Sequence, residues 1–413
     1  MAAEGTPRGP VCDPRRGLRA ILIFTVVGFL VSFGFSLVTP VLSLYALTFE
    51  VSLAAVGALV ASIGITKVLL DIPVGVVSDR VGTRRFMLLG LGTVTLSAFV
   101  SALAINYYML LLGMVLQGVG SAIYFTTSYL AVTRLCPTAR RGSYLGMFVS
   151  LQFLGSTSGP LLGGFFGQSF GLGTPFLVYG VLTIISTLVV TFLVDRTLIE
   201  QAPGSHVDVR QITRAFRNYS LTSINLGMLS ISVMRMGLIS TVLPVFAVQN
   251  LGLTPVAFGG ILTLFSFANF VTLLPVGPLT DRHGRRPFMF TSLVLTGLLA
   301  FLIPFTSDGA AFTLIMAAMG VTFGLTGSIG AWVTDVSAAP DLGASMGIFR
   351  TMGDLGAFVG PIVLTFFLPG GSEAIGTLPF VLAGVIMIVA SLPLLRARDP
   401  ARERALRRRA EQT

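Results

Sequence analysis

The chain contains twelve apolar stretches, each long enough to cross the hydrocarbon layer of a membrane as an α-helix, which takes roughly 20 residues. They begin near residues 18, 52, 86, 107, 143, 174, 219, 254, 287, 311, 343 and 375, and are called spans 1 to 12. Only 11% of the residues are charged, too few to solvate a soluble domain. Because lipid leaves backbone polar groups without water, the sequence predicts an all-α bundle of twelve transmembrane helices.

The basic residues indicate the orientation of this bundle. They lie before span 1, in the loops after spans 2, 4, 6 and 8, and after span 12, whereas the opposite loops contain no Lys or Arg. Basic loops face the cytoplasm, so both termini are expected there, in a multi-pass protein of the plasma membrane. This distribution also accounts for the net charge of +10, and the expected partner is therefore the lipid bilayer and not nucleic acid.

One turn occurs twice, after span 2 and after span 8, at an offset of 202 residues. Each copy contains glycines, an aspartate and arginines: Gly75, Asp79, Arg80, Gly82, Arg84 and Arg85 in the first, and Gly277, Asp281, Arg282, Gly284, Arg285 and Arg286 in the second, of which all but Arg85 and Arg285 correspond at this offset. A glycine pattern recurs at an offset of 201: Gly146, Gly155, Gly159 and Pro160 return as Gly347, Gly356, Gly360 and Pro361. The two offsets differ by one residue only, which indicates that the chain is a duplicated six-helix unit.

The duplication predicts two pseudo-symmetric halves. The expected boundaries are a cytoplasmic segment (1–17), the first half (18–194), a cytoplasmic linker (195–217), the second half (218–396) and a basic tail (397–413). The chain has no nucleotide-binding loop, its two histidines lie in or near cytoplasmic loops, and it has no nucleophile constellation. We therefore expect no enzyme activity, no cofactor and no metal site.

The twelve-span layout and both motifs resemble the major facilitator superfamily over nearly the whole chain. The glycines of span 5, Gly146, Gly155, Gly159, Gly163 and Gly164, together with Pro160, look like the antiporter signature of the drug:proton antiporter branch. The second copy ends in Leu-Thr instead of Gly-Gly. The resemblance implies two helical bundles that rock about a central substrate site, and it implies export.

The resemblance also implies a role for the repeated turn. Its Asp and Arg residues would latch the cytoplasmic gate in the outward-facing state, and the alternative is a loop that only sets topology. Two positions depart from the family pattern. Thr83 stands where a basic residue is usual, and Met114 stands in place of an arginine that is linked to proton coupling.

Four charges lie inside spans 2 and 11, where each costs on the order of 2.5–3.5 kcal/mol at the bilayer centre. Lys67 and Asp71 are four residues apart, as are Arg350 and Asp354, so each pair can form on one helix face. Spans 2 and 11 meet between the halves in the family, which implies a network of all four charges. This network is either a static salt bridge or a proton-sensitive switch.

Spans 1, 4, 7 and 10 line the central cavity in the family. The candidate cavity residues on these spans are Arg235, Gln117, Tyr124 and Trp332, with helix packing as the alternative for most of them. Arg235 has no acid in its own span, so its partner is an anionic substrate, a carboxylate such as Asp71, or backbone carbonyls. Asp335 and Arg134, at matching ends of spans 10 and 4, are expected to pair.

The sequence therefore predicts a secondary active transporter that exports small amphipathic or drug-like molecules, with protons as the coupling ion and the monomer as the working unit. Span 1 carries no acidic residue, which favours a neutral or anionic substrate over a cationic one. An uptake symporter or facilitator for a small metabolite, such as an anionic one, is the alternative. A non-transporting receptor or scaffold is a third reading.

Overall fold

Twelve long helices occupy the positions of the twelve predicted spans. The computed structural model describes residues 14–135, 141–194, 213–214, 217–338, 341–366 and 375–404. Within these ranges each long helix begins within four residues of the start that the sequence predicts, and none of the described residues lies in a β-strand. The prediction of an all-α membrane protein is confirmed.

The first half consists of six long helices. They are α1 (Pro14–Val38), α2 (Leu53–Val81), α3 (Thr83–Ala102), α4 (Tyr107–Leu135), α5 (Arg141–Phe170) and α6 (Thr174–Leu193). A short helix, Leu42–Leu47, lies between α1 and α2. Gly82, between α2 and α3, has a φ of +94°, a conformation that favours glycine and allows the chain to reverse within one residue.

The second half repeats this arrangement with more irregular helices. α7 is continuous but mixed, with α-helix at Tyr219–Ser232, π-helix at Val233–Val242 and α-helix at Leu243–Gln249. α8 is Pro255–His283, and α9 is Arg286–Leu302 with a 3₁₀ turn at Ile303–Phe305. α10 runs through Gly309–Gly324, Leu325–Ser328 and Ile329–Val336. α11 is Leu342–Phe366, and α12 is Leu378–Ser391 continued by Leu392–Arg396.

Side-chain caps fix where several of these helices begin. The Asn218 side chain accepts the backbone N–H groups of Ser220 and Leu221 at the start of α7. Thr254 and Asp308 cap α8 and α10 in the same way. Such caps satisfy donors that the first helical turn leaves free, and therefore place the helix starts at polar residues between apolar stretches.

The helices pack with two-fold pseudo-symmetry. α1 packs against α5 as α7 packs against α11, α2 against α4 as α8 against α10, and α3 against α6 as α9 against α12. Between the halves, α2 lies along α11 and α5 lies along α8. The same two interfaces are therefore exchanged by the pseudo-two-fold, as expected for a duplicated chain.

Eleven of the described helices are long and apolar enough to cross a membrane. The helix that is absent from this set is α5, whose many glycine and serine residues lower its hydropathy. These small residues allow it to pack closely against α1 and α8. α5 is 30 residues long and runs through the bundle beside the other eleven. Packing, and not hydropathy, places this helix among the spans.

The two ends of the bundle can be named from the chain. Since consecutive long helices are antiparallel, α1 begins and α12 ends at the same end, called here the terminal end. The opposite end, which holds residues 42–53 and 249–255, is called the distal end. Of the predicted linker, 195–212 and 215–216 lie outside the described residues, and the domain boundaries stay a prediction.

Candidate functional site

The four charges of α2 and α11 meet between the halves. Lys67 Nζ donates to Asp354 Oδ1, and Arg350 Nε lies 3.2 Å from Asp71 Oδ2. Both pairs therefore cross from one half to the other. The pairs within one helix, which the spacing of four residues allows, are not the pairs that the structure forms among these four residues.

The two carboxylates of this network are more enclosed than the two cations. The Asp354 and Asp71 side chains are 8% and 10% exposed, against 24% and 39% for Lys67 and Arg350. Neither carboxylate oxygen of Asp71 accepts a hydrogen bond, and Asp354 Oδ2 accepts none. An enclosed carboxylate oxygen without a hydrogen bond can take up a proton without breaking one, although the ion pair across the halves would weaken.

Towards the distal end from these charges, α2 and α11 touch through their backbones. A Cβ added to Gly64 would lie 2.5 Å from the Phe358 backbone nitrogen, and one added to Gly57 would overlap the Thr365 hydroxyl. No side chain larger than hydrogen fits at these two positions. The distal end is therefore closed at this interface.

The second inter-half interface is closed at the same end. A Cβ on Gly164 of α5 would overlap the Pro255 carbonyl, and one on Gly259 of α8 would overlap the Pro160 carbonyl. The Leu161 backbone N–H donates to Thr263 Oγ1 at 3.0 Å, which is a hydrogen bond from one half to the other. A cavity of about 20 Å³, room for about one water molecule, lies between α1, α2 and α7 at this end.

Glycines in the terminal part of the same helices have no close neighbours. A Cβ added to Gly146, Gly277, Gly343 or Gly347 would meet nothing within 4 Å. These glycines lie on α5, α8 and α11, which are the helices that touch across the halves at the distal end. The described bundle is thus sealed distally and looser at its terminal end.

The antiporter-like glycines have two different neighbours. Gly155, Gly159 and Gly163 face the α1 backbone within the first half, at Phe29, Phe33 and Leu37 respectively. Gly164 and Pro160 face α8 in the other half. In the second copy, Gly356 and Gly360 face α7, while Pro361 presents its carbonyl to α2. The motif therefore joins packing within a half to contact between halves, and its role in export stays a prediction.

The first copy of the repeated turn is described only in part. Gly82 closes α2, and Arg84 is buried, with Nη2 donating to the Thr191 carbonyl of α6 at 2.6 Å. Arg85 is exposed. The side chains of Asp79 and Arg80 lie outside the described residues, so their latch role stays a prediction.

The second copy forms an ionic cluster at the terminal end. Arg285 Nε donates to Asp335 Oδ2 of α10 at 2.7 Å, and Arg285 Nη2 donates to Asp281 Oδ1 at 3.3 Å. Arg404 Nη2 donates to the other oxygen of Asp335 at 2.6 Å. Arg282 is exposed, and Gly284 turns the chain with a φ of +92°. Both Asp335 oxygens are thus used within the second half, and the side chain of Arg134, its expected partner, lies outside the described residues.

The chain beyond α12 covers this turn. Asp399 Oδ2 accepts the backbone N–H of Arg286 at 2.9 Å, and the Trp332 indole donates to the Arg398 carbonyl at 3.0 Å. A Cβ on Gly284 would lie 2.5 Å from Asp399 Oδ2. The sequence signal for this contact was weak, because residues 396–404 read only as part of a basic tail.

Three predicted cavity residues do not line a cavity in this conformation. Gln117 is 3% exposed and donates to the Tyr179 hydroxyl inside the first half. Tyr124 and Trp332 are completely buried, Tyr124 beside Phe125 and Trp332 below the chain after α12. Gln117 and Trp332 are thus hydrogen-bonded to groups of their own half in this conformation, and the role of all three residues in the substrate cavity stays a prediction.

Arg235 is placed differently from these three. It lies in the π-helical segment of α7 and its side chain is exposed. Asp71, the partner considered from the sequence, is paired with Arg350. Within the described part of the chain Arg235 makes no hydrogen bond and no ion pair.

Comparisons with known proteins agree with this geometry. A sequence model of the Major Facilitator Superfamily matches residues 24–228 and 225–413. Multidrug resistance protein 2 of Bacillus subtilis is 25% identical over 90% of this chain and 93% of its own length. The probable nitrate/nitrite transporter NarK2 of Mycobacterium tuberculosis is 26% identical over 95% of this chain and 100% of its own. A bacterial homologue of the lysosomal transporter Spinster, in an inward-facing, occupied conformation, superposes with a TM-score of 0.71 at 18% identity, covering 94% of this chain and 97% of that one.

Proposed function

The chain belongs to the Major Facilitator Superfamily of membrane transporters, and from this premise we propose that it exports small amphipathic or drug-like molecules by proton antiport. The observation that carries the proposal is the pair of crossed ion pairs, Lys67–Asp354 and Arg350–Asp71, which tie the two halves together in the interior of the bundle. Export by proton antiport needs a proton-accepting group whose state alters how the halves contact each other.

Alternating access supplies the transport step. The distal interfaces of α2 with α11 and of α5 with α8 are closed together, and the terminal parts of the same helices are loose. Because the pseudo-two-fold exchanges these interfaces, one rocking motion opens both distally and closes both at the terminal end. If both termini are cytoplasmic, as the basic loops predict, distal closure is the inward-facing state, and the proposal takes the working unit to be a monomer in the plasma membrane.

The network supplies the coupling step. A proton on Asp354 removes the negative partner of Lys67, and a proton on Asp71 removes that of Arg350. Each event leaves a cation without its counter-charge and weakens one link between the halves, which changes the relative free energies of the two states. The repeated turns lie at the terminal end. In the second turn, Arg285, between α8 and α9, donates a hydrogen bond to Asp335 of α10.

The names of relatives support efflux of drug-like compounds. Besides multidrug resistance protein 2, the class E tetracycline resistance protein of Escherichia coli is 25% identical over 93% of this chain. The nitrate/nitrite transporter relative, together with the unpaired Arg235, supports the second candidate, an uptake symporter or facilitator for a small anionic metabolite. A receptor or scaffold would not need an interface that alternates.

Transport in inside-out membrane vesicles tests the proposal. An imposed gradient, acid inside, should drive uptake of lipophilic probe compounds, and Asp71→Asn or Asp354→Asn should abolish the response to the gradient. Asp308→Asn is the matched control, because Asp308 caps α10 outside the network and Asn also caps helices. Uptake that ignores the gradient, or that survives both network variants unchanged, contradicts proton antiport.

A further inference from the structure

The interior of the bundle holds one more cation than carboxylates. Among the described residues of the membrane-spanning helices away from their ends, the cations are Lys67, Arg235 and Arg350, and the carboxylates are Asp71 and Asp354. Lys67 forms an ion pair with Asp354, and Arg350 forms one with Asp71. The excess positive charge is therefore Arg235.

Arg235 is exposed although it lies on the most enclosed span. Of the eleven helices that are long and apolar enough to cross a membrane, α7 has the largest share of buried residues. Its π-helical segment packs against α2, α11 and α12. An exposed arginine in the middle of so enclosed a helix faces a space inside the protein and not lipid.

The packing of the neighbouring residues gives the direction of the side chain. Gly237 lies against Gly360 of α11, and Val233 contacts the same glycine. Residues two apart lie on nearly opposite sides of a helix, so Arg235 leaves α7 on the side away from α11. Met236 and Ser240 line the small distal cavity with residues of α1 and α2. Arg235 itself is not among the residues that line this cavity, and its side chain leaves α7 on the face away from the ion pairs on α11.

The π-helix itself marks this position. Ten residues, Val233–Val242, adopt it, and the Thr241 hydroxyl donates to the Met236 carbonyl five residues back. π-Helical segments are rare in proteins, and those that occur are often found at functional sites. The widened turn presents Arg235 beside the partly buried, adaptable thioether of Met236.

We propose that Arg235 is the anion-binding residue of the transport site, and that the substrates are small amphipathic monoanions such as carboxylates and sulfonates. The inference rests on the proposed transport function and adds the substrate class. A guanidinium offers two parallel N–H donors that match a carboxylate, and this charge-assisted pair is strongest where water is scarce. A bound anion also supplies the counter-charge that the protein itself does not give Arg235.

Binding to the full chain in lipid nanodiscs tests the inference. The probes are 4-phenylbutyrate, its primary amide and the corresponding primary amine, which share the apolar part and differ in charge. By calorimetry, the anion should bind roughly ten- to a hundredfold more tightly than the amide. Arg235→Gln should remove this preference and Arg235→Lys should keep most of it. Arg19→Gln, an exposed change at the start of α1, should have no effect.

A structural role for Arg235 predicts different results. Since Arg235 has no partner to lose in the described structure, Arg235→Gln should unfold at the same temperature as the unmodified protein or higher. Equal binding of anion and amide, absence of binding by all three probes, unchanged anion binding in Arg235→Gln, or a large fall in its unfolding temperature each overturns the inference.

The proposed function can be separated from this outcome. Asp354→Asn should still bind 4-phenylbutyrate with its preference intact but should lose the gradient response in vesicles. If binding fails the test while gradient-driven uptake of uncharged probes persists, only the substrate class is wrong. If the gradient has no effect on any probe while Arg235 selects the anion, only proton antiport is wrong.

Discussion

At the scale of single residues, the choice of partners within the charge network decides what the network does. A pair within α2 or within α11 would leave the halves free of each other, whereas the crossed pairs join them. Lys67–Asp354 and Arg350–Asp71 therefore make the ionic state of two carboxylates a property of the whole interface.

A double-mutant cycle measures this partner choice. Lys67→Gln and Asp354→Asn should show a coupling of roughly 0.5–3 kcal/mol in the free energy of unfolding, because each removes the other's partner. Lys67→Gln with Asp71→Asn should show less. Thermal or denaturant unfolding in detergent gives the values, and a larger coupling within α2 than between Lys67 and Asp354 would contradict the crossed arrangement.

The Thr263 hydroxyl of the second half accepts a hydrogen bond from the Leu161 backbone N–H of the first half. Thr263→Val keeps the shape of the side chain but leaves the Leu161 N–H without its acceptor in the distally closed state, at a cost of about 1 kcal/mol. Thr263→Ser keeps the acceptor and is the control. Cysteine accessibility at the distal end should rise in the valine variant, and equal accessibility in both variants would show that this bond does not hold the closed state.

The sequence predicted which residues would carry charge inside the membrane, but not their partners. Spacing of four residues allows pairing within a helix, and only the approach of α2 to α11 selects pairing between helices. Gln117, Tyr124 and Trp332 are buried within their own halves in this conformation, and a one-dimensional pattern does not distinguish the cavity side of a central helix from the side that packs within its half.

At the scale of elements, the glycines of α2, α5 and α8 set how closely the halves approach. Gly259→Ala should open the distal end, because its new Cβ would overlap the Pro160 carbonyl. Gly260→Ala is the neighbouring control, since its nearest atom would be Leu161 Cδ1 at 3.7 Å. Distal labelling should increase only for Gly259→Ala, and the same increase in both variants would point to loss of helix stability instead.

The segment after α12 is hydrogen-bonded to the start of α9 and to α10 at the terminal end. Ending the chain after Arg398 removes Asp399 from the Arg286 backbone and Arg404 from Asp335, whereas ending it after Arg404 keeps both contacts. The shorter form should lose about 2 kcal/mol in its free energy of unfolding, discounted from a fully buried pair because Arg404 is largely exposed. Equal unfolding temperatures for the two forms would show that the segment contributes nothing.

Element positions were largely predictable and element irregularities were not. Apolar length located eleven of the twelve helices because lipid leaves backbone groups no partner but the helix itself, and packing supports the remaining one, α5. The π-helix in α7 and the contact of residues 399–404 with the turn after α8 depend on neighbours far away in the chain, and no local pattern specifies them.

At the scale of the whole molecule, the duplication makes the two closed interfaces copies of each other, so they should open together.

The terminal end, with its basic loops, is expected to face the cytoplasm. A green fluorescent protein fused after residue 413 should fluoresce in cells, since it folds in the cytoplasm, and an alkaline phosphatase fused at the same place should be inactive. Active phosphatase would reverse the orientation and with it the direction of transport.

The most direct test of the central claim is the distance between the halves as a function of pH. Spin labels at Phe170 and Phe305, both exposed at the distal end of different halves, report this distance by pulsed electron resonance. We expect acidification to shift the distance distribution, Asp354→Asn to shift it in the same direction at high pH, and the Asp71→Asn, Asp354→Asn double variant to lose the pH response. A double variant that responds to pH like the unmodified protein would show that these carboxylates do not couple protons to the motion of the halves.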